Sequence, residues 1–148
     1  MENLNNLRQW LEEQGVLLFD QRLNFSNQAT KAATLKLEPG GQVGIFVDRA
    51  RMAGGAEEMS CLLHEGGHFA TGTTHRLYSP FDLVERHEYR ANKWAVQRAL
   101  SAAELDEAVA GGHTELWDLA DYFGVTEELM RQAVCWYTYG NLAAALYF

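Results

Sequence analysis

Histidines at positions 64 and 68, with a glutamate at 65, stand in the run Leu63-His64-Glu65-Gly66-Gly67-His68 and form an H-E-x-x-H pattern. Residues four apart share one face of a helix, so both imidazoles can reach a single metal ion. Glu65 then lies beside that ion, within reach of a metal-bound water, which is where a general base belongs. The plainer alternative is a solvated helix face with two unrelated histidines. With only five histidines in the chain, chance rarely groups them this way.

A catalytic zinc takes three protein ligands and keeps a position for water. Downstream, the stretch from Asp82 to Asn92 reads as a second helix carrying Glu85, His87 and Glu88. Glu88 is the expected third ligand. Asn92 lies four residues further on the same face, and its amide oxygen can accept the free N–H of a ligand histidine, fixing tautomer and ring angle. Glu85, one turn back, and His87, about 100° round the helix, stay open as alternatives on spacing alone. Cys61 precedes His64 by three residues and lies near the ligand face, but a fourth protein ligand would close the position that catalysis needs. Zn2+ is the expected ion, although two histidines and a carboxylate suit several divalent metals. A di-iron bundle needs E-x-x-H on two helices, and only Glu65-x-x-His68 satisfies it.

The elements that hold these residues follow from apolar spacing. Leu4, Leu7, Trp10 and Leu11 predict an opening helix to about Gln14, stopped by Gly15. Residues 16–19, 33–37 and 42–47 read as short strands, with Glu38-Pro39-Gly40-Gly41 turning between the last two. The ligand helix runs from Gly55 or Ala56 to Thr71, with Glu57 and Glu58 in its first turn, where the helix dipole favours acids. Gly66 and Gly67 inside it each cost about 1 kcal/mol against alanine. Their presence implies close packing or room for substrate. Residues 72–80 form a loop in which His75 and Tyr78 stand near enough to the site to polarise a carbonyl, or serve only as loop residues. The helix from Phe81 to about Leu100 bears a stripe of Ala91, Ala95 and Ala99 that permits close contact with a neighbour. The rest reads as short helices broken at Gly111-Gly112 and Gly124, with Trp117, Tyr122, Phe123, Trp136, Tyr137 and Tyr139 expected mostly in the core. The fold class is thus α+β, a small antiparallel sheet packed on a mostly helical, zincin-like domain with an H-E-x-x-H helix. Residues 1–148 make one domain.

Composition narrows the functional classes. The chain is 47% hydrophobic with a formal net charge of −8, and from Ser101 onward eight acidic residues face Arg131 alone. Such a segment repels a phosphate backbone, so no direct nucleic-acid contact is expected, although Leu119 to Met130 has the look of a helix-turn-helix. Its second helix begins Thr126-Glu127-Glu128, where acids oppose phosphates. No apolar run approaches the roughly twenty residues that span a bilayer, and the N-terminus lacks a signal-peptide pattern. Cys61 and Cys135 read as reduced thiols, mostly buried. A cytoplasmic protein without membrane contact is the expectation.

Four segments together resemble the ImmA/IrrE family of zinc-dependent endopeptidases. They are Ile45-Phe46-Val47-Asp48, Leu63-His64-Glu65-Gly66-Gly67-His68, Glu88-Tyr89-Arg90-Ala91-Asn92-Lys93-Trp94-Ala95, and Leu119-Ala120-Asp121-Tyr122-Phe123-Gly124-Val125-Thr126. The likeness covers most of the chain. It implies a compact gluzincin-like fold, Glu88 as third zinc ligand and Glu65 as catalytic base. Small members of this kind, carried by phages and mobile elements, cleave a specific protein partner such as a helix-turn-helix repressor. One departure is that Arg98-Ala99-Leu100-Ser101 stands where the family commonly has a proline. The rival reading is a non-catalytic, metal-containing module that keeps the fold and grips a repressor.

Overall fold

The computed structural model describes residues 1–23, 30–37, 40–73 and 81–142. In chain order they form α1 (Leu4–Glu13), β1 (Leu17–Asp20), β2 (Ala32–Leu37), β3 (Gln42–Val47), a 3-10 turn at Arg49–Arg51, α2 (Gly55–Thr71), α3 (Phe81–Ala99), α4 (Ala102–Ala110), α5 (Leu116–Phe123) and α6 (Glu127–Tyr139). The architecture is α+β.

Local chemistry sets the helix ends. Asn3 accepts the Asn6 N–H at 2.9 Å to cap α1. Ser101 and Glu104 form a reciprocal capping box at α4. Gly72 and Gly124 take left-handed backbone at φ 65° and 68°, ending α2 and α5 as glycine readily does. Thr126 caps α6, and its own N–H donates to Ser60 Oγ at 2.9 Å, pinning the start of α6 to α2.

The sheet corrects one expectation. It is mixed rather than antiparallel, in the order β1-β3-β2, with β1 parallel and β2 antiparallel to β3. Alternation of side chains shows which residues share a face but not which strands are neighbours. The apolar β3 takes the centre, where both its edges are paired, and β1 lands on its far side instead of beside β2. In register, Leu18, Thr34 and Ile45 point to one face and Phe19, Ala33 and Phe46 to the other. Ile45 and Val47 are buried in the core with Leu7, Leu11, Met59, Leu62, Leu63, Val96 and Leu100.

α2 is the spine, burying Met59, Leu62, Leu63, Glu65, Gly66, Gly67 and His68. The buried Glu58 in its first turn binds Arg8 of α1 and Arg49 Nε, the latter at 2.9 Å, which ties three elements together. The C-terminal helices pack as scaffold through Leu119, Ala120, Phe123, Leu129, Met130 and Ala133. Three aromatics depart from the expected core. Trp117, Tyr122 and Tyr139 are 58%, 43% and 64% exposed, because each lies on the solvent side of its helix.

Candidate metal centre

His64, Glu65 and His68 lie on α2, and Glu88 and Asn92 on α3. The two helices meet so closely because of Gly67. A Cβ built there would come within 3.0 Å of the carbonyl carbon and Cα of Ala91, and nearer still to its carbonyl oxygen. Only glycine admits this approach, and Ala91, fully buried, offers the smallest side chain opposite. Gly66 makes room differently, since its Cβ would meet the Trp94 ring at 3.3 Å and Leu11 at 3.5 Å. Gly67 and Ala91, separate signals in the sequence, are thus two sides of one contact.

That contact brings three donors together. His64 Nε2 and His68 Nε2 lie 3.2 Å apart, Glu88 Oε2 is 2.9 Å from the first, and Glu88 Oε1 is 3.0 Å from the second. Ligands at 2.0–2.1 Å from a tetrahedral zinc stand about 3.3 Å from one another, close to the separation of the two imidazole nitrogens, and the carboxylate faces each of them with a different oxygen. The remaining ring nitrogens are engaged. His64 Nδ1 donates to Asn92 Oδ1 at 2.7 Å, and His68 Nδ1 donates to the Thr73 carbonyl at 2.9 Å with Thr73 Oγ1 at 3.2 Å. A carbonyl can only accept, which places the His68 proton on Nδ1 and leaves the Nε2 lone pair facing inward. Two inward lone pairs beside a carboxylate repel one another unless a cation lies between them. The donor set therefore fits zinc, with both imidazoles oriented as ligand histidines usually are.

Without a metal, a proton answers the same field. Burial pulls the His64 pKa down, but the Glu88 hydrogen bond, the Glu65 and Glu88 charges and Asn92 together leave it raised. Protons and metal thus compete for this nitrogen.

Glu65 is buried and is not one of the three clustered donors. The Thr34 hydroxyl of β2 lies against its carboxylate and 3.1 Å from its main-chain oxygen, holding the side chain at the wall of a cavity of about 900 Å3. His64, Glu65, Glu88 and Asn92 line this cavity, which extends past Cys61 and Ser60 to the first turn of α6 and is bordered by the start of β2.

Among the described residues, the one group of three or more metal-ligating side chains is His64, His68 and Glu88. Glu85 is exposed, and neither it nor His87 joins the cluster. Cys61 lines the cavity without joining either, and burial together with Glu57, Glu65 and Glu128 pushes its thiol up to about 11. It is half-buried where fuller burial was expected. His75 and Tyr78 lie outside the described residues. Sequence reasoning missed Thr34 and Thr73. Thr73 carried a usable signal, because a residue just past a left-handed glycine cap folds back on the last turn, and its N–H donates to the His68 carbonyl at 2.9 Å. Comparison of the chain with protein-family profiles, curated proteins and solved structures gives no match.

Proposed function

We propose that the chain is a zinc-dependent endopeptidase of the ImmA/IrrE type, with a zincin-like arrangement in which His64, His68 and Glu88 hold the ion and Glu65 is the catalytic base. The observation that carries this reading is the convergence of two Nε2 lone pairs and a carboxylate within 3.2 Å of one another, with both imidazoles fixed from behind. An ion bound there supplies Lewis acidity at a scissile carbonyl and brings the pKa of its water towards neutrality.

The chain's own residues account for the rest. Glu65 takes a proton from the attacking water and returns it to the leaving amine. Thr34 restrains the Glu65 carboxylate, so the base meets the reacting atoms in one orientation. β2 stands at the edge of the sheet with its start bordering the cavity, and an extended substrate segment entering there can add to it as a further strand. β3, central in the sheet, has no edge to offer. A protein substrate is the natural partner for such a cleft, and a helix-turn-helix repressor is the target that the family resemblance suggests.

The test is metal content and turnover in parallel. Purified protein is expected to hold about one zinc per chain, lost in Glu88→Ala. Glu65→Gln should keep the zinc and any bound partner while abolishing hydrolysis, which separates the peptidase from a module that only grips its target. Absence of zinc uptake by the wild type under reducing, zinc-supplemented conditions would refute the proposal.

A further inference from the structure

The cavity beside the triad carries a charge pattern with a consequence for what enters it. Among the described residues, four carboxylates line it, Glu57, Glu65, Glu88 and Glu128, against the single cation Lys31. Lys31 is committed to Glu57, with Nζ 2.6 Å from Oε1. Glu65 and Glu88 are engaged by Thr34 and by the two histidines. Glu128 differs from these three. It is exposed and forms no hydrogen bond or ion pair with any described residue, yet it stands on the first turn of α6, which Thr126 and Ser60 lock against α2.

Its distance from the chemistry can be counted along α2. Glu128 lines the same cavity as Cys61 and His64, and Cys61 precedes His64 by three residues, about 4.5 Å of axial rise. An extended peptide advances about 3.3 Å per residue. A segment lying along α2 with its scissile bond at the triad therefore brings a side chain one or two residues away up to Glu128.

We propose that this cleft selects peptide segments with a lysine or arginine within two residues of the bond to be cut, and that Glu128 determines the preference. The inference rests on the peptidase reading for the position of the bond, but the charge preference itself is a property of binding. An arginine head there meets a carboxylate that no described residue pairs with, in a cavity whose other described acids exceed its described cations. An acidic side chain meets the same field as repulsion. An exposed pair of this kind is worth up to about fivefold in affinity, so arginine against glutamate at the same position should differ by roughly ten- to thirtyfold at low salt.

The test uses the zinc-loaded Glu65→Gln protein and fluorescein-labelled octapeptides of alanine and serine that carry one central arginine, glutamate or alanine. Anisotropy at low ionic strength is expected to rank arginine above alanine above glutamate, and Glu128→Lys in the same background should invert the order. Glu107→Lys, an equal change of net charge on the exposed face of α4, should leave the order intact. Equal affinities, no detectable arginine binding up to about 1 mM, or an order indifferent to residue 128 would overturn the inference. Zinc-loaded wild type incubated with the arginine peptide separates the two levels. A peptide that binds with this preference and is never cut counts against the peptidase reading alone, whereas cleavage without basic preference counts against the inference alone.

Discussion

Replacing Gly67 by alanine adds one methyl group at the point where α2 and α3 touch. The new Cβ would lie 3.0 Å from two backbone carbons of Ala91 and closer to its oxygen. Ordinary carbon contacts lie at about 3.5–4.0 Å, so α3 has to withdraw by about 0.5–1 Å. In an unconstrained helix interior the same change would stabilise by about 1 kcal/mol. Overpacking costs about 1–3 kcal/mol, and because the obstacle here is main chain the upper part of that range applies, about 2–3 kcal/mol, which leaves a net loss of about 1–2 kcal/mol. The metal site should suffer more than the fold. Ligand distances tolerate about 0.2 Å of error, and Glu88, one turn from Ala91, moves with the helix. Zinc affinity is expected to fall by about 100-fold or more, at least as much as losing an outer hydrogen-bond partner. Urea unfolding of the metal-free protein, followed by circular dichroism, reads the first effect. Competition with a chromophoric chelator reads the second. Gly66→Ala is the control, because the nearest atoms to its Cβ belong to the Trp94 and Leu11 side chains, which can shift. If Gly67→Ala were more stable than the wild type by about 1 kcal/mol and bound zinc as well, the helix crossing would not be what positions Glu88.

Other outcomes follow from the same geometry. Asn92→Ala should weaken zinc binding about 10- to 100-fold, whereas Thr73→Val should change it little, since the Thr73 main-chain carbonyl holds His68 Nδ1; chelator competition on the two variants distinguishes them. Cys61→Ser should retain full zinc content by elemental analysis, and the native thiol, pushed up to about 11, should react slowly with iodoacetamide at pH 8 and quickly in urea. Asp48, buried at the end of β3, is held below its ordinary 3.8 first by the Leu23 N–H and then by Arg51, against the cost of burial. A depressed folded-state pKa stabilises above the unfolded value and is lost as pH falls through the folded one. The difference in urea midpoint between wild type and Asp48→Asn should therefore be largest at neutral pH and close in acid. An equal difference at all pH values would show that the Asp48 charge plays no part.

The helices were legible because their signals are local. Leu4, Leu7 and Leu11 mark one face of α1, Ser101 and Glu104 announce the start of α4, and Gly124 punctuates α5 and α6. The bounds of α2 and β3 agree with the sequence reading. Strand order was not legible, because pairing depends on which strand gains most from a central position, and the alternation in β1 is the same on either side of β3. The same divide runs through the site. His64 and His68 are four residues apart and Asn92 four from Glu88, so helix geometry alone aligned each pair. Thr34 lies 31 residues from Glu65 and reaches it only because β2 forms the sheet edge beside α2. Trp117 and Tyr122 were misjudged by residue type, although Leu116, Leu119, Ala120 and Phe123 already occupy the inward face of α5.

The contact between Gly67 and Ala91 also acts as a ruler. Measured from it, the ligand histidines stand at −3 and +1 on one helix, the carboxylate at −3 on the other, and the amide that steadies the first imidazole at +1. These offsets refer only to the crossing point and owe nothing to the sheet or to the C-terminal helices. The centre is thus portable. A helix pair brought to the same backbone separation and crossing angle, and accepting four residues at these offsets, acquires the triad with one histidine already braced, which makes this crossing a compact template for building a metal site into a scaffold that has none.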